Sequence, residues 1–200
     1  MTPQETEQLL RRAAEDDPQA VDRLMAAHRR RLKQMITVRM DQRLRQRLDP
    51  SDVVQETLLE AARRLPDYLS EDSIPFYPWL RQMAVNRLID LHRRHLVSQK
   101  RSVRREGPAP FLPDESVMQL ATRLAAPGSS PSRHAQKQEQ RERVKEKLGE
   151  LDPGLKEVLV LQYLEELSTN EIAPILGVSE RTVRRWHRQA IEQLGDLLTR

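Results

Sequence analysis

The stretch LSTNEIAPILGVSERTVRRWHR, Leu167 to Arg188, decides the fold class. Ser168-Thr169-Asn170-Glu171 has the spacing at which a hydroxyl and a carboxylate satisfy each other's backbone N–H groups at a helix start. Ile172, Ala173, Ile175 and Leu176 follow as one short apolar turn. Gly177 permits a sharp reversal, and Val178 can plug the angle between two crossed helices. Ser179 then caps a second helix, with Val183, Ala190, Ile191 and Leu194 inward. Its other face carries Arg181, Thr182, Arg184, Arg185 and Arg188. This is the layout of a helix-turn-helix, whose donors suit phosphates and base edges in a major groove. The competing reading is a plain helical hairpin with a solvated arginine face. Caps, glycine turn and arginines at these spacings together favour DNA. Pro174 has no N–H to give, so it fits best if the first helix starts as late as Asn170. Trp186 and His187 compete for the inward place after Val183, and the one left outside would face DNA.

The same helical period recurs towards the N-terminus. Asp17-Pro18 is a start signal, followed by Val21, Leu24, Met25, His28, Leu32, Met35 and Ile36 on one face. Asp49-Pro50 starts another helix, with Val53, Val54, Leu58, Leu59, Ala62 and Leu65 inward and Pro66 as its expected end. A third runs from about Pro78 to His95. Residues 97–132 are rich in proline, glycine and serine and read as an extended linker, with a short helix allowed at 114–124. Beyond it come a charged helix to about Leu148 and another begun by Asp152-Pro153. No strand is evident. The expectation is an all-α protein: residues 1–96, a flexible linker 97–132, and residues 133–200 ending in the helix-turn-helix.

Composition narrows the function. Apolar residues are 38% and charged residues 32% of 200 residues, which suits two small cores better than one large one. There is no cysteine, which removes disulfides, thiolate zinc sites and cysteine nucleophiles. No apolar run approaches a membrane span, and the N-terminus lacks the pattern of a secretory signal, so a soluble intracellular protein is expected. The net charge is only +4, but it is unevenly spread. Arg29, Arg30, Arg31, Lys33, Arg39, Arg43, Arg45 and Arg47 face a single acid, Asp41. A second cluster includes Arg81, Arg87, Arg93 and Arg94. Such runs suit phosphates, and equally suit solvated helix faces.

At three places the chain resembles bacterial sigma factors. RLDPSDVVQET (Arg47–Thr57) is similar to their core-polymerase-binding helix. Phe76 to Arg94, with Trp79-Leu80, Asn86-Arg87 and Ile89-Asp90, resembles their minus-ten recognition helix. Leu167 to Arg185 resembles their minus-thirty-five reader. The small size resembles the extracytoplasmic-function group. The resemblance implies that Asp52, Gln55 and Glu56, flanked by Val53 and Leu59, face the β′ coiled coil of RNA polymerase. It implies that the loop from Ser70 to Tyr77 holds a flipped base of the minus-ten strand. Phe76 and Tyr77 would supply stacking surface there, with Trp79 either stacking or core. Asn86 would bond a base or the loop, and Arg87, Arg93 and Arg94 would grip phosphates. Ser179, Arg181, Thr182, Arg184, Arg185 and Arg188 would read the minus-thirty-five duplex. The implied partners are core RNA polymerase (β and β′ subunits), promoter DNA and an anti-sigma factor, with no cofactor and no metal. The resemblance places the protein in the bacterial cytoplasm. Trp186 and His187 depart from the family's usual basic and apolar residues at those positions.

Two other classes compete. His92-x-x-His95 share a helical face and could begin a metal site, but no third ligand has suitable spacing. Surrounding cations would also repel a metal ion. A stand-alone helix-turn-helix regulator would bind duplex DNA without polymerase. It would need a dimer and a sensor domain, for which the N-terminal half offers no evident ligand pocket.

Overall fold

The structure, a computed structural model, describes residues 2–70, 74–95, 112–125 and 134–199. These form α-helices and one π turn, with no strand among the described residues. The chain divides into two compact units, Met1–Phe111 and Leu112–Arg200.

The first unit contains α1 (Pro3–Ala14), α2 (Pro18–Arg39), α3 (Gln42–Arg45), α4 (Pro50–Ser70) and α5 (Phe76–His95). Short polar signals start its helices. Thr2 and Glu5 form a reciprocal capping box on α1, a start signal in addition to those at Asp17 and Asp49. Asp17 accepts from the N–H groups of Gln19 and Ala20 at the start of α2. Asp49 accepts from the Ser51 N–H at the start of α4. That bond, then the Ser51 hydroxyl, holds the Asp49 carboxyl below the usual carboxylate range. The core lies where α2, α4 and α5 meet, at Leu24, Leu32, Met35, Ile36, Val54, Ala61, Leu80 and Ala84. Each large side chain there contributes about 1.5–3 kcal/mol by leaving water.

Pro66 does not end α4, which continues to Ser70. The proline removes one hydrogen bond, a cost of about 3 kcal/mol in a helix interior. Packing beyond it opposes that cost. Tyr68 and Leu69 join the core, Tyr68 lies 4.6 Å from Trp79 and 5.6 Å from Phe76 between ring centres, and its hydroxyl donates to the Ile74 carbonyl.

The second unit contains α6 (Asp114–Leu124), α7 (His134–Glu150), α8 (Pro153–Leu159), the π turn Val160–Leu164, α9 (Thr169–Leu176) and α10 (Glu180–Thr199). The expected linker therefore holds a formed helix. α6 packs on α7 and on the π turn, with Leu120 and Ala121 fully buried. Residues 96–111 and 126–133, the rest of the expected linker, lie outside the described residues. Val158, Leu159, Val160 and Leu161 are all fully buried. A one-sided helix cannot bury four consecutive residues. This segment can because α6, α9 and α10 surround it, and the widened π turn re-aims its side chains.

α9 begins at Thr169, one residue earlier than Pro174 prefers. The carbonyl that Pro174 leaves without its helical partner belongs to exposed Asn170, where water can serve it. Gly177 closes α9 in the left-handed region at φ 66°. A Cβ there would meet nothing within 4 Å, so a substitution pays only for backbone conformation. Gly177→Ala is expected to lower stability by about 1–2 kcal/mol. Urea unfolding of the full chain measures it, and an unchanged midpoint would show that the turn adapts.

Candidate functional site

α10 is held at its start, along its length and by its neighbours. Ser179 accepts from the Thr182 N–H at 3.2 Å, fixing the first turn. Val183, Ala190 and Leu194 are buried against the rest of the unit. Opposite them, Arg181, Arg184, Arg185 and Arg188 are exposed and Thr182 is half-buried. Spacings of three, four and seven put these arginines on one face. Glu180 pairs with Arg184 at 2.8 Å.

Trp186 and His187 do not divide into one inside and one outside; both are half-buried. Trp186 reaches the start of α8, where its ring would lie 3.8 Å from a Cβ on Gly154. His187 Nε2 lies 3.2 Å from the Tyr163 hydroxyl, and the two rings stack. Burial pushes the His187 imidazole below its ordinary 6.5, favouring the neutral form. Ile191, expected inward, is 38% exposed. It follows the arginine face at i+3 from Arg188, so the apolar seam passes it by.

The first unit presents a different surface. Along α4, Asp52, Gln55, Glu56 and Leu59 are exposed, and Leu59 at 54% is an apolar side chain standing in water. Val53 points the other way and is 2% exposed, inside the core. The expected edge therefore keeps four members and loses Val53, because residues one apart lie about 100° apart on a helix. Along α5, Gln82, Asn86, Ile89 and Arg93 form an exposed face. Gln82 donates to Asn86 at 2.9 Å, and Arg93 pairs with Asp90 at 3.0 Å. Arg94 is also exposed.

Comparison with known proteins matches a part of each unit. Residues 24–96 match the family Sigma-70 region 2, and residues 141–194 match Sigma-70, region 4. The chain belongs to the extracytoplasmic-function group of the sigma-70 family. It is 31% identical over 153 residues to the RNA polymerase sigma factor CnrH of Cupriavidus metallidurans, covering 75% of this chain and 73% of that one. It is 26% identical over 189 residues to the RNA polymerase sigma-H factor of Pseudomonas aeruginosa, covering 92% and 89%. Its fold is similar to that in a solved structure of CnrH in complex with the cytosolic domain of CnrY. The TM-score is 0.53 at 24% identity, over 98% of this chain and 97% of that one.

Some residues expected to meet the minus-ten strand of this sigma factor lie elsewhere. Phe76 and Tyr77 are 3% and 4% exposed and offer no stacking surface to a base. Phe76 sits among His28, Tyr68 and Trp79. Tyr77 stacks on His28 and carries the Arg31 guanidinium 4.0 Å from its ring centre. The chain enters α5 between α2 and α4, so its first-turn aromatics fill the core. Trp79 is half-buried in the same cluster. Residues 71–73 of the expected base pocket lie outside the described residues. Arg87 pairs with Glu56 of α4 rather than standing free on the outer face.

The basic clusters are partly structural. Arg39 and Arg81 are buried at 4% and 3% exposure. Arg45 donates to the carbonyls of Thr37 and Met40, and Arg47 to that of His95. Arg29, Arg30, Lys33 and Arg43 remain on the surface. Among the described residues no three His, Asp or Glu side chains are placed to hold a metal ion, and no helix is long and apolar enough to cross a membrane.

Proposed function

We propose that this sigma factor brings core RNA polymerase to a subset of promoters by reading two DNA elements. The observation that carries the reading is the α10 face. Arg181, Arg184, Arg185 and Arg188 stand exposed beside Thr182 on a helix whose start is capped by Ser179 and whose approach is set by the Gly177 turn. Such a helix enters a major groove with its N-terminal residues towards base edges and its remaining cations towards phosphates. This is the minus-thirty-five contact.

In the first unit, Asp52, Gln55, Glu56 and Leu59 supply an acidic edge with one exposed apolar anchor. That combination suits a basic protein surface, here the β′ coiled coil of polymerase. Asn86, Arg93 and Arg94 on α5 meet the minus-ten strand, Asn86 by hydrogen bonds and the arginines by charge. The chain does no chemistry of its own; it works in the bacterial cytoplasm, where the polymerase makes RNA. Membership of the extracytoplasmic-function group supports an anti-sigma factor as a further partner.

The test is reconstitution with sigma-free bacterial core on a genomic promoter library, with sequencing of transcript starts. Discrete starts sharing two upstream motifs are expected. Tight duplex binding without core, and no starts with it, would instead establish a stand-alone regulator.

A further inference from the structure

Glu56 and Arg87 are 31 residues apart in sequence and meet across α4 and α5. Arg87 Nη2 donates to Glu56 Oε2. Glu56 Oε1 receives no hydrogen bond from any described residue. Both side chains are partly covered, at 40% exposure for Arg87 and 53% for Glu56. The Arg87 Nε is fully buried and has no hydrogen-bond partner among the described residues. This guanidinium is thus packed at its root and committed at its tip. On a helix turning about 100° per residue, Arg87 also stands about a third of a turn from the outer face of Gln82, Asn86 and Arg93.

We infer that Arg87 is a positioning residue of the polymerase-docking edge: it grips one oxygen of Glu56 and presents the other outward. The inference rests on the proposed role of that edge. A carboxylate can accept about four hydrogen bonds, so one grip leaves capacity for a basic or amide group of the partner. A glutamate on an exposed helix face loses rotamer freedom when it docks, and a carboxylate already held loses less. A second carboxylate on the same helix shows the contrast. Glu60 is taken by Arg64 four residues on, through a pair confined to α4. Of these two, Glu56 is the one braced from α5 among the described residues.

The experiment measures association of full-length protein with core polymerase by fluorescence anisotropy, for Arg87→Ala, Arg87→Lys, Glu56→Gln and Glu56→Gln/Arg87→Ala. Arg87→Ala is expected to weaken association about two- to fivefold, the range of an isolated, partly exposed ion pair. Arg87→Lys should recover most of that loss. In the Glu56→Gln background, removing Arg87 should cost nothing further, which a general loss of folding would not reproduce. Transcription per bound complex at saturating core should stay unchanged. Normal or tighter association of Arg87→Ala overturns the inference, and fewer open complexes per bound polymerase would return Arg87 to the DNA. If Glu56→Gln itself associates normally, the docking edge falls and the inference with it. If Glu56→Gln weakens association and Arg87→Ala does not, only the positioning role falls.

Discussion

Reversing Asp52 and Glu56 to lysine is expected to abolish association with core polymerase, by at least about 100-fold in a pull-down or titration. The two carboxylates stand one turn apart on the exposed side of α4, with Gln55 and Leu59 beside them. A charge opposed by its like at a docked surface costs about 2–5 kcal/mol or more when partly desolvated, and here two such sites act together. Folding contributes little to the loss. Asp52 lies in the first turn of α4, where a negative charge complements the helix N-terminus by about 0.3–1 kcal/mol. Lysine at Glu56 would also oppose Arg87. Asp52→Lys alone avoids that second effect and should still weaken association at least tenfold. Glu60→Lys is the control, since Glu60 pairs with Arg64 along the same helix and belongs to no proposed contact. Normal association of the Asp52/Glu56 double variant would remove α4 from the interface.

Replacing Arg184 and Arg185 by alanine is expected to reduce promoter-specific transcription at least about 30-fold while core association stays normal. A well-placed base contact discriminates by about 1–3 kcal/mol, and an arginine removed from a phosphate also lowers the steepness of the salt dependence by about 0.9. The two side chains differ in their surroundings. Arg184 is held by Glu180, whereas Arg185 makes no ion pair among the described residues. Both lie on the exposed face of α10 in the second unit, and the proposed polymerase edge lies in the first. Transcription and core association should therefore separate cleanly. Unchanged transcription would take α10 out of promoter recognition. A parallel loss of core association would mean that the second unit also docks on the polymerase through this face.

Much of this molecule is legible in local sequence. Asp17, Asp49, Asp152, Ser168 and Ser179 all cap helices as their spacing suggests. The reason is that a cap closes within two or three residues, so its chemistry is complete in the sequence window that encodes it. The Gly177 reversal is equally local, because the left-handed backbone is a property of one residue. The arginine face of α10 follows from helical period alone once Val183 is known to point inward.

Other features were settled only by partners distant in sequence. Pro66 sits inside α4 because Tyr68 finds Phe76 and Trp79, and no window around Pro66 contains that packing. Phe76 and Tyr77 have the right chemistry to stack on a base. Burial against α2 denies them the access, and aromatic rings look the same in sequence whether their partner is a base or a core. The expected linker holds a helix of the second unit because Leu120 and Ala121 meet α7 and the π turn. Arg123 adds to this, donating to the Tyr163 carbonyl and pairing with Glu166 at 3.3 Å. The two sites expected along α4 and α5 are joined where Glu56 and Arg87 meet. By itself the sequence determined most of the helix starts, the caps at Asp17, Asp49, Asp152, Ser168 and Ser179, the sharp turn and the arginine face of α10, since each depends on neighbours within about one helical turn. The tertiary structure alone decided which aromatics are hidden, where α6 belongs and that Arg87 serves Glu56. Those outcomes depend on excluded water and on which distant side chains share the same space.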